Sequence, residues 1–99
     1  MIVRASVVDG NVDVVKVENF DLELEVLYAL LLDDLKSENM KNDILDFEKS
    51  LATFNSNGYF VSSDGKTTLN FSKEVPFAEY HSSHLYTTDI FIKPTKDKP

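Results

Sequence analysis

The chain has 99 residues, a hydrophobic content of 42%, no cysteine and a formal net charge of -7. This length fits a single domain with one hydrophobic core, and the lack of cysteine excludes disulfides and cysteine-ligated zinc. A single arginine argues against direct binding to nucleic acid, because phosphate contacts need clustered basic side chains.

The N-terminal residues favour a cytoplasmic protein. They lead directly into strand-like sequence, without the basic patch, apolar stretch and cleavage site of a secretory signal. The longest apolar run, residues 26–32, is too short to span a bilayer. We therefore expect neither export nor a membrane partner.

The first predicted element is a β-hairpin. Residues 2–8 and 12–18 are both rich in valine, and Asp9-Gly10 lies between them. Asp-Gly between two strand-like runs is a strong hairpin signal, because both residues accept the backbone angles of a tight turn.

A first helix is predicted over residues 20–36. The start of this segment alternates like a strand, but leucine, alanine and glutamate favour a helix and the periodicity continues to Leu35. The apolar positions at helical spacing are Phe20, Leu24, Leu27, Leu31 and Leu35.

A second helix is predicted from the apolar positions Met40, Ile44, Phe47, Leu51 and Phe54, which share one narrow face. Ser37 or Asn39 is expected to cap its start. Asn57-Gly58 follows the last apolar position and is expected to end it in a left-handed conformation.

The C-terminal part predicts more strands. Asp64-Gly65 indicates a second hairpin, between residues 59–63 and 66–71. Residues 73–79 contain Val75-Pro76 and are interpreted as a loop. A last strand is expected over residues 85–93, with Ile90 and Ile92 on one face and Phe91 on the other, followed by a frayed tail, residues 95–99.

Together these elements predict a single α+β domain over residues 1–94. The order is β-β-α-α-β-β-β, which forms two layers: a mostly antiparallel sheet and a helical hairpin packed on one face of it.

Negative charge is concentrated in the helical part. Residues 18–48 carry ten acids and two lysines, which gives -8, and the rest of the chain sums to +1. Such a face predicts binding to the basic surface of another protein, although it could serve only to keep the domain soluble. The predicted acidic face consists of Glu23, Glu25, Asp33, Asp34, Glu38, Asp43, Asp46 and Glu48.

The first helix also carries a second apolar stripe, formed by Leu22, Val26, Ala29 and Leu30. The second helix is expected to cover this stripe. The alternative is that the stripe is exposed and forms a homodimer or another docking surface.

His81 and His84 are the only histidines. In a strand they would point to opposite faces, and only a turn would bring them together with Glu79 or Asp89. Their spacing matches no zinc signature, and no nucleophile elbow or phosphate-binding loop is present. We therefore predict no catalytic residue, metal or cofactor, and keep a small metal-dependent enzyme or binder using both histidines as an alternative.

No motif of a known family is present. The charge pattern favours a non-enzymatic protein-binding domain that acts through its acidic helices. In its sharpest form this is an inhibitor of a nucleic-acid-handling protein, of the anti-defence or anti-CRISPR type found in phages and mobile elements. A homodimeric assembly module without an inhibitory role is the alternative.

Overall fold

The computed structural model describes residues 7–8, 11–12, 14–84 and 88–95, and it confirms the α+β fold. The elements in chain order are β1 (Val7–Val8), β2 (Asn11–Val12), β3 (Val14–Val17), α1 (Phe20–Ser37), α2 (Lys41–Leu51), β4 (Asn57–Val61), β5 (Thr67–Ser72), β6 (Phe77–Ser82) and β7 (Thr88–Pro94). Neither described helix combines the length and the apolar content that a membrane crossing requires.

Within the described residues, the main sheet has five strands in the order β3-β7-β6-β5-β4. Among these described strands, only β3 and β7 pair in parallel, and the other neighbours are antiparallel. In sequence, β3 comes directly before the two helices and β4 directly after them, yet these strands lie at opposite edges of the sheet. The connection through α1 and α2 therefore crosses the full width of the sheet.

The N-terminal hairpin is smaller than predicted. Strands β1 and β2 pair over two residues each, and the chain then leaves the hairpin as β3. Val15 of β3 pairs with Ile92, which places it on the core side of the sheet. The valine-rich run thus contributes β2 to the two-stranded sheet and β3 to the main sheet, a division that its composition does not indicate. Residues 2–6 of the predicted first strand lie outside the described residues.

Helix α1 begins and ends where its sequence pattern predicts. The side chain of Asn19 accepts a hydrogen bond from the backbone N–H of Leu22 at 3.0 Å, which caps the first turn. The face predicted from Phe20 to Leu35 is buried, with Leu27, Leu31 and Leu35 at 0% exposure.

The turn between the helices corrects the predicted cap of α2. Asn39 has a φ of 58° and belongs to the end of α1, because its N–H bonds to the Lys36 carbonyl and the Met40 N–H bonds to the Leu35 carbonyl, both at 3.0 Å. This is a Schellman ending, in which asparagine tolerates the left-handed conformation. The residue that precedes α2 is Met40, which makes no side-chain cap. Neither Ser37 nor Asn39 caps α2.

The core lies between the two helices and the inner face of the sheet. Edge-to-face aromatic contacts join the layers: Phe47 of α2 lies 5.1 Å from Phe60 of β4, and Tyr28 of α1 lies 5.8 Å from Phe47, measured between ring centroids. Tyr28 therefore marks the side of α1 on which α2 packs. The inner face of β7 is formed by Ile90 and Ile92, as predicted.

Strand β6 was not predicted. Residues 73–79 were interpreted as a loop, but the turn is confined to residues 73–76, and β6 begins at Phe77. The inward residues of β6 are Ala78, Tyr80 and Ser82, two of which carry hydroxyls. Only Ala78-Glu79-Tyr80-His81 alternates between core and polar residues, so the signal of a half-buried strand is short.

Gly58 lies inside β4, so the prediction that Asn57-Gly58 ends α2 is wrong. A Cβ atom at Gly58 would lie 2.8 Å from Cζ of Phe71 and 2.9 Å from Cδ1 of Phe54. The two rings pack directly on the backbone, so this position requires a residue without a side chain.

We expect Gly58→Ala to lower the free energy of unfolding by about 1–3 kcal/mol, the usual result of overpacking a core. Urea denaturation measures the change. Gly65→Asn serves as the control, since Gly65 has a φ of +74° with open space around it and asparagine tolerates that conformation. Equal stability of Gly58→Ala and the unmodified protein would contradict the packing described here.

Candidate functional site

The carboxylate of Asp34 is completely buried between α1 and the sheet. Its Oδ2 atom accepts hydrogen bonds from the hydroxyls of Thr67 at 2.9 Å, Tyr80 at 3.0 Å and Ser82 at 2.5 Å. These donors come from β5 and β6, so one oxygen atom ties the helix to two neighbouring strands. We call Asp34, these three hydroxyls and His84 the buried polar cluster.

His84 completes the cluster just beyond the end of β6. Its side chain is 4% exposed, and its Nδ1 lies 3.3 Å from Oδ1 of Asp34 and 2.9 Å from the Thr67 hydroxyl. On the other side of the ring, Nε2 lies 2.6 Å from Oδ2 of Asp64, in the turn between β4 and β5. The imidazole therefore bridges an interior carboxylate and a more exposed one.

The hydrogen bonds favour a doubly protonated His84. Thr67 has one hydroxyl proton, and when it donates this proton to Asp34 its oxygen accepts from Nδ1–H of His84. The Asp64 carboxylate can only accept, so Nε2 must also carry a proton. With both nitrogens protonated, His84 is an imidazolium cation between two carboxylates.

The electrostatics agree with this assignment. Burial by itself lowers the pKa of His84, but the hydrogen bond and charge of Asp64, with the charges of Asp34 and Glu38, outweigh it and raise the pKa above its usual value. Slight desolvation raises the pKa of Asp64, but hydrogen bonds, led by that from the Ser62 hydroxyl, hold it far below its usual range.

A second buried carboxylate fixes the same turn. Both oxygens of Asp43, in the first turn of α2, accept hydrogen bonds from Ser63: one from its N–H at 3.0 Å and one from its hydroxyl at 2.8 Å. Asp34 and Asp43 thus anchor α1 and α2, respectively, to the same end of the sheet. This arrangement stabilises the contact between the two layers.

The prediction of one exposed acidic face is therefore wrong for three of its eight residues. Asp34 is 0% exposed, Asp43 6% and Glu23 7%. Desolvating a carboxylate is costly without hydrogen-bond donors; β5 and β6 supply those donors to Asp34, and Ser63 in the turn after β4 supplies them to Asp43. The five acids of the predicted face that are exposed are Glu25, Asp33, Glu38, Asp46 and Glu48.

Helix α2 does not cover the second apolar stripe of α1. Leu22 is 57% exposed and Val26 36%, Ala29 is exposed as well, and Leu30 is partly buried against the core. Tyr28 faces α2, and Val26, two residues away, projects about 160° from it at 100° per residue. The expectation that the second helix covers this stripe is thus wrong.

The two histidines do not converge. His81 is on the outer face of the sheet, where its ring contacts the carboxylate of Asp89 and its side chain is 51% exposed. It lines an open groove of about 410 Å³ together with Glu79 and Phe91. His84 belongs to the buried polar cluster. Within the described part of the chain, no group of three or more potential ligands is placed to hold a metal ion.

In comparisons with protein-family models, curated proteins and solved structures, the chain has no significant match. Its function must therefore be argued from its own residues.

We expect Asp34→Asn to lower the free energy of unfolding by about 3–5 kcal/mol, because it removes the buried charge that accepts three hydroxyl hydrogen bonds and leaves Asp64 as the one carboxylate of the pair that faces His84. Glu25→Gln, on the exposed side of the same helix, should change stability by about 0.5 kcal/mol or less. Chemical denaturation compares the two variants. A similar, small effect for both would show that Asp34 does not hold the layers together.

The pair of His84 and Asp64 should also give stability a defined pH dependence. The raised pKa of His84 adds stability that is complete below its ordinary value of 6.5 and is lost as pH rises through the folded-state pKa. The lowered pKa of Asp64 adds stability above its ordinary value of 3.8 that is lost as pH falls. Their joint contribution is therefore largest between about pH 4 and 6.5.

Urea denaturation of the unmodified protein and of His84→Gln across pH tests this dependence. The difference in unfolding free energy should peak in that window and shrink on either side. His81→Gln removes an imidazole outside the buried polar cluster and is the matched comparison. A difference for His84→Gln that grows above pH 7 would contradict the sign of the shift.

Proposed function

We propose that this domain is a non-enzymatic protein-binding module that engages a basic protein surface through the solvent-facing side of α1. The observation that carries the proposal is an exposed apolar stripe bordered by exposed carboxylates. Leu22 and Val26 form the apolar part, and Glu25 and Asp33 lie beside it.

Helical geometry places these side chains together. Leu22, Val26, Ala29 and Asp33 follow steps of four, three and four, which puts them on one face of the helix. Glu25 precedes Val26 and lies on the flank of that face. A small apolar centre with a charged rim is the common anatomy of a protein–protein interface, in which the centre supplies affinity and the rim supplies specificity.

The charge of the surrounding surface favours a basic partner. Between residues 18 and 51, all of which the structure describes, seven exposed acids stand against three exposed lysines. Because three of the acids are buried, the surface is less negative than the sequence alone indicates, but it is still negative. Such a field steers a basic partner toward the helices and repels an acidic one.

The sharpest form of the proposal is inhibition of a nucleic-acid-handling protein. Such proteins present clustered lysine and arginine side chains to phosphates, and exposed carboxylates on a rigid helix can occupy the same positions. An inhibitor from a phage or mobile element that acts against a host defence system, including a CRISPR effector, would use this chemistry.

The test is capture of the partner by the tagged protein at low and high salt. We expect the double variant Glu25→Lys and Asp33→Lys to lose the partner, because it reverses the charge beside the apolar stripe while leaving every buried acid intact. Binding by the unmodified protein should weaken at high salt, since rim charges are screened.

Glu74→Lys with Glu79→Lys is the matched control, because both residues are exposed on other surfaces and the change in net charge is the same. This control should retain the partner. Equal binding by both double variants would remove α1 as the binding surface, and purified components would then show whether the captured protein's binding to nucleic acid is blocked.

A further inference from the structure

Strand β4 is an open edge of the main sheet. Among the described strands it pairs only with β5. The Ser62 N–H donates to the Thr67 carbonyl, and the Ser56 carbonyl accepts from Lys73, so the even-numbered residues of this segment bond to β5. In an antiparallel ladder the intervening residues point their backbone groups the other way. The groups at positions 57, 59 and 61 therefore face the open edge.

This edge lacks the features that usually prevent pairing with another chain. Proteins protect edge strands with charged residues, proline or very short strands. The five residues of β4 include neither a charge nor a proline. The opposite edge, β3, has four residues and carries Lys16. On β4, Tyr59 is 66% exposed and Val61 40%, so a large aromatic and a branched apolar side chain accompany the unpaired backbone.

We infer that β4 is a homodimerisation edge, which pairs antiparallel with β4 of a second copy around a two-fold axis at Tyr59. In this register Tyr59 lies opposite the partner's Tyr59, and Asn57 lies opposite the partner's Val61. All three residues with outward backbone groups then form hydrogen-bonded pairs, about six hydrogen bonds in total. The two sheets become one continuous sheet across both copies.

The geometry of the edge favours a second copy as the occupant, because in the antiparallel register around Tyr59 each outward backbone group of one copy meets its complement on the other. Self-association through α1 would bring Glu25 and Asp33 of one copy toward the same acids of the other, and like charges in contact are unfavourable. Self-association through β4 brings no charged strand residue face to face. The dimer also leaves the solvent-facing side of α1 available for a basic partner, and it does not depend on the function proposed above.

Sedimentation equilibrium over a range of concentrations tests this inference. We expect a concentration-dependent dimer for the unmodified protein and a monomer for Val61→Pro, since proline removes an N–H that points toward the second copy and not toward β5. Tyr59→Lys, at a largely exposed side chain, should also be monomeric and does not depend on tolerance of proline. Circular dichroism checks that both variants are folded.

Two controls separate β4 from other surfaces. Val75→Lys changes an apolar residue that is 74% exposed in the turn before β6, and Leu22→Lys changes the apolar stripe of α1; both should remain dimeric. A monomeric unmodified protein, or a dimer that survives both β4 substitutions, would overturn the inference. A dimer abolished by Leu22→Lys alone would place self-association on α1 instead.

Discussion

Taking the carboxylate of Asp34 out of water is costly, and the fold offsets this cost with donors drawn from several parts of the chain. The hydroxyls of Thr67, Tyr80 and Ser82 each donate a hydrogen bond to the same oxygen atom of Asp34. His84 supplies a positive charge beside this negative carboxylate. Because the donors lie on two strands and the acceptor on a helix, these hydrogen bonds connect α1 to both β5 and β6. Apolar packing stabilises the contact between the layers, and the buried polar cluster adds hydrogen bonds with a defined direction to it.

The sequence pattern explains which parts of the fold could be predicted. Helix α1 and the core face of α2 follow from apolar spacing, because leucine and phenylalanine recur at the helical period. Strand β6 does not, because its run of apolar–polar alternation is short and the adjacent Val75-Pro76 indicates a loop. Tyr80 belongs to the apolar core, and the hydrogen bonds that Tyr80 and Ser82 donate to Asp34 have no signal in the sequence pattern.

The burial of acidic residues is a second feature that the sequence pattern did not predict. Counting carboxylates in the helical part predicted one exposed face, yet Asp34 and Asp43 lie inside. A signal existed for Asp34: it follows Leu31 by three residues and Leu27 by seven, which places it on the core side of α1. No such spacing identifies its donors, since Thr67 and Ser82 are 33 and 48 residues away in sequence. Pairings over such distances are visible only once the strand register is known.

Buried and exposed acids thus have different structural roles in this protein. The interior acids hold the helical layer on the sheet, and the exposed acids of α1 and α2 give that layer its negative field. The opposite layer presents an uncharged edge at β4 and an open outer face with His81 and Phe91. A basic partner and a second copy of the chain would therefore meet different surfaces of the same small domain.

The most direct test of this account is the protonation state of His84, read from the ¹⁵N chemical shifts of its ring by NMR at pH 7, where an imidazole of the ordinary pKa of 6.5 is mostly neutral. The hydrogen bonds from Nδ1 to Thr67 and from Nε2 to Asp64 require both nitrogens to be protonated, so both should give the shifts of an imidazolium. A neutral ring with one unprotonated nitrogen would contradict the account, because the charge that compensates Asp34 would then be missing.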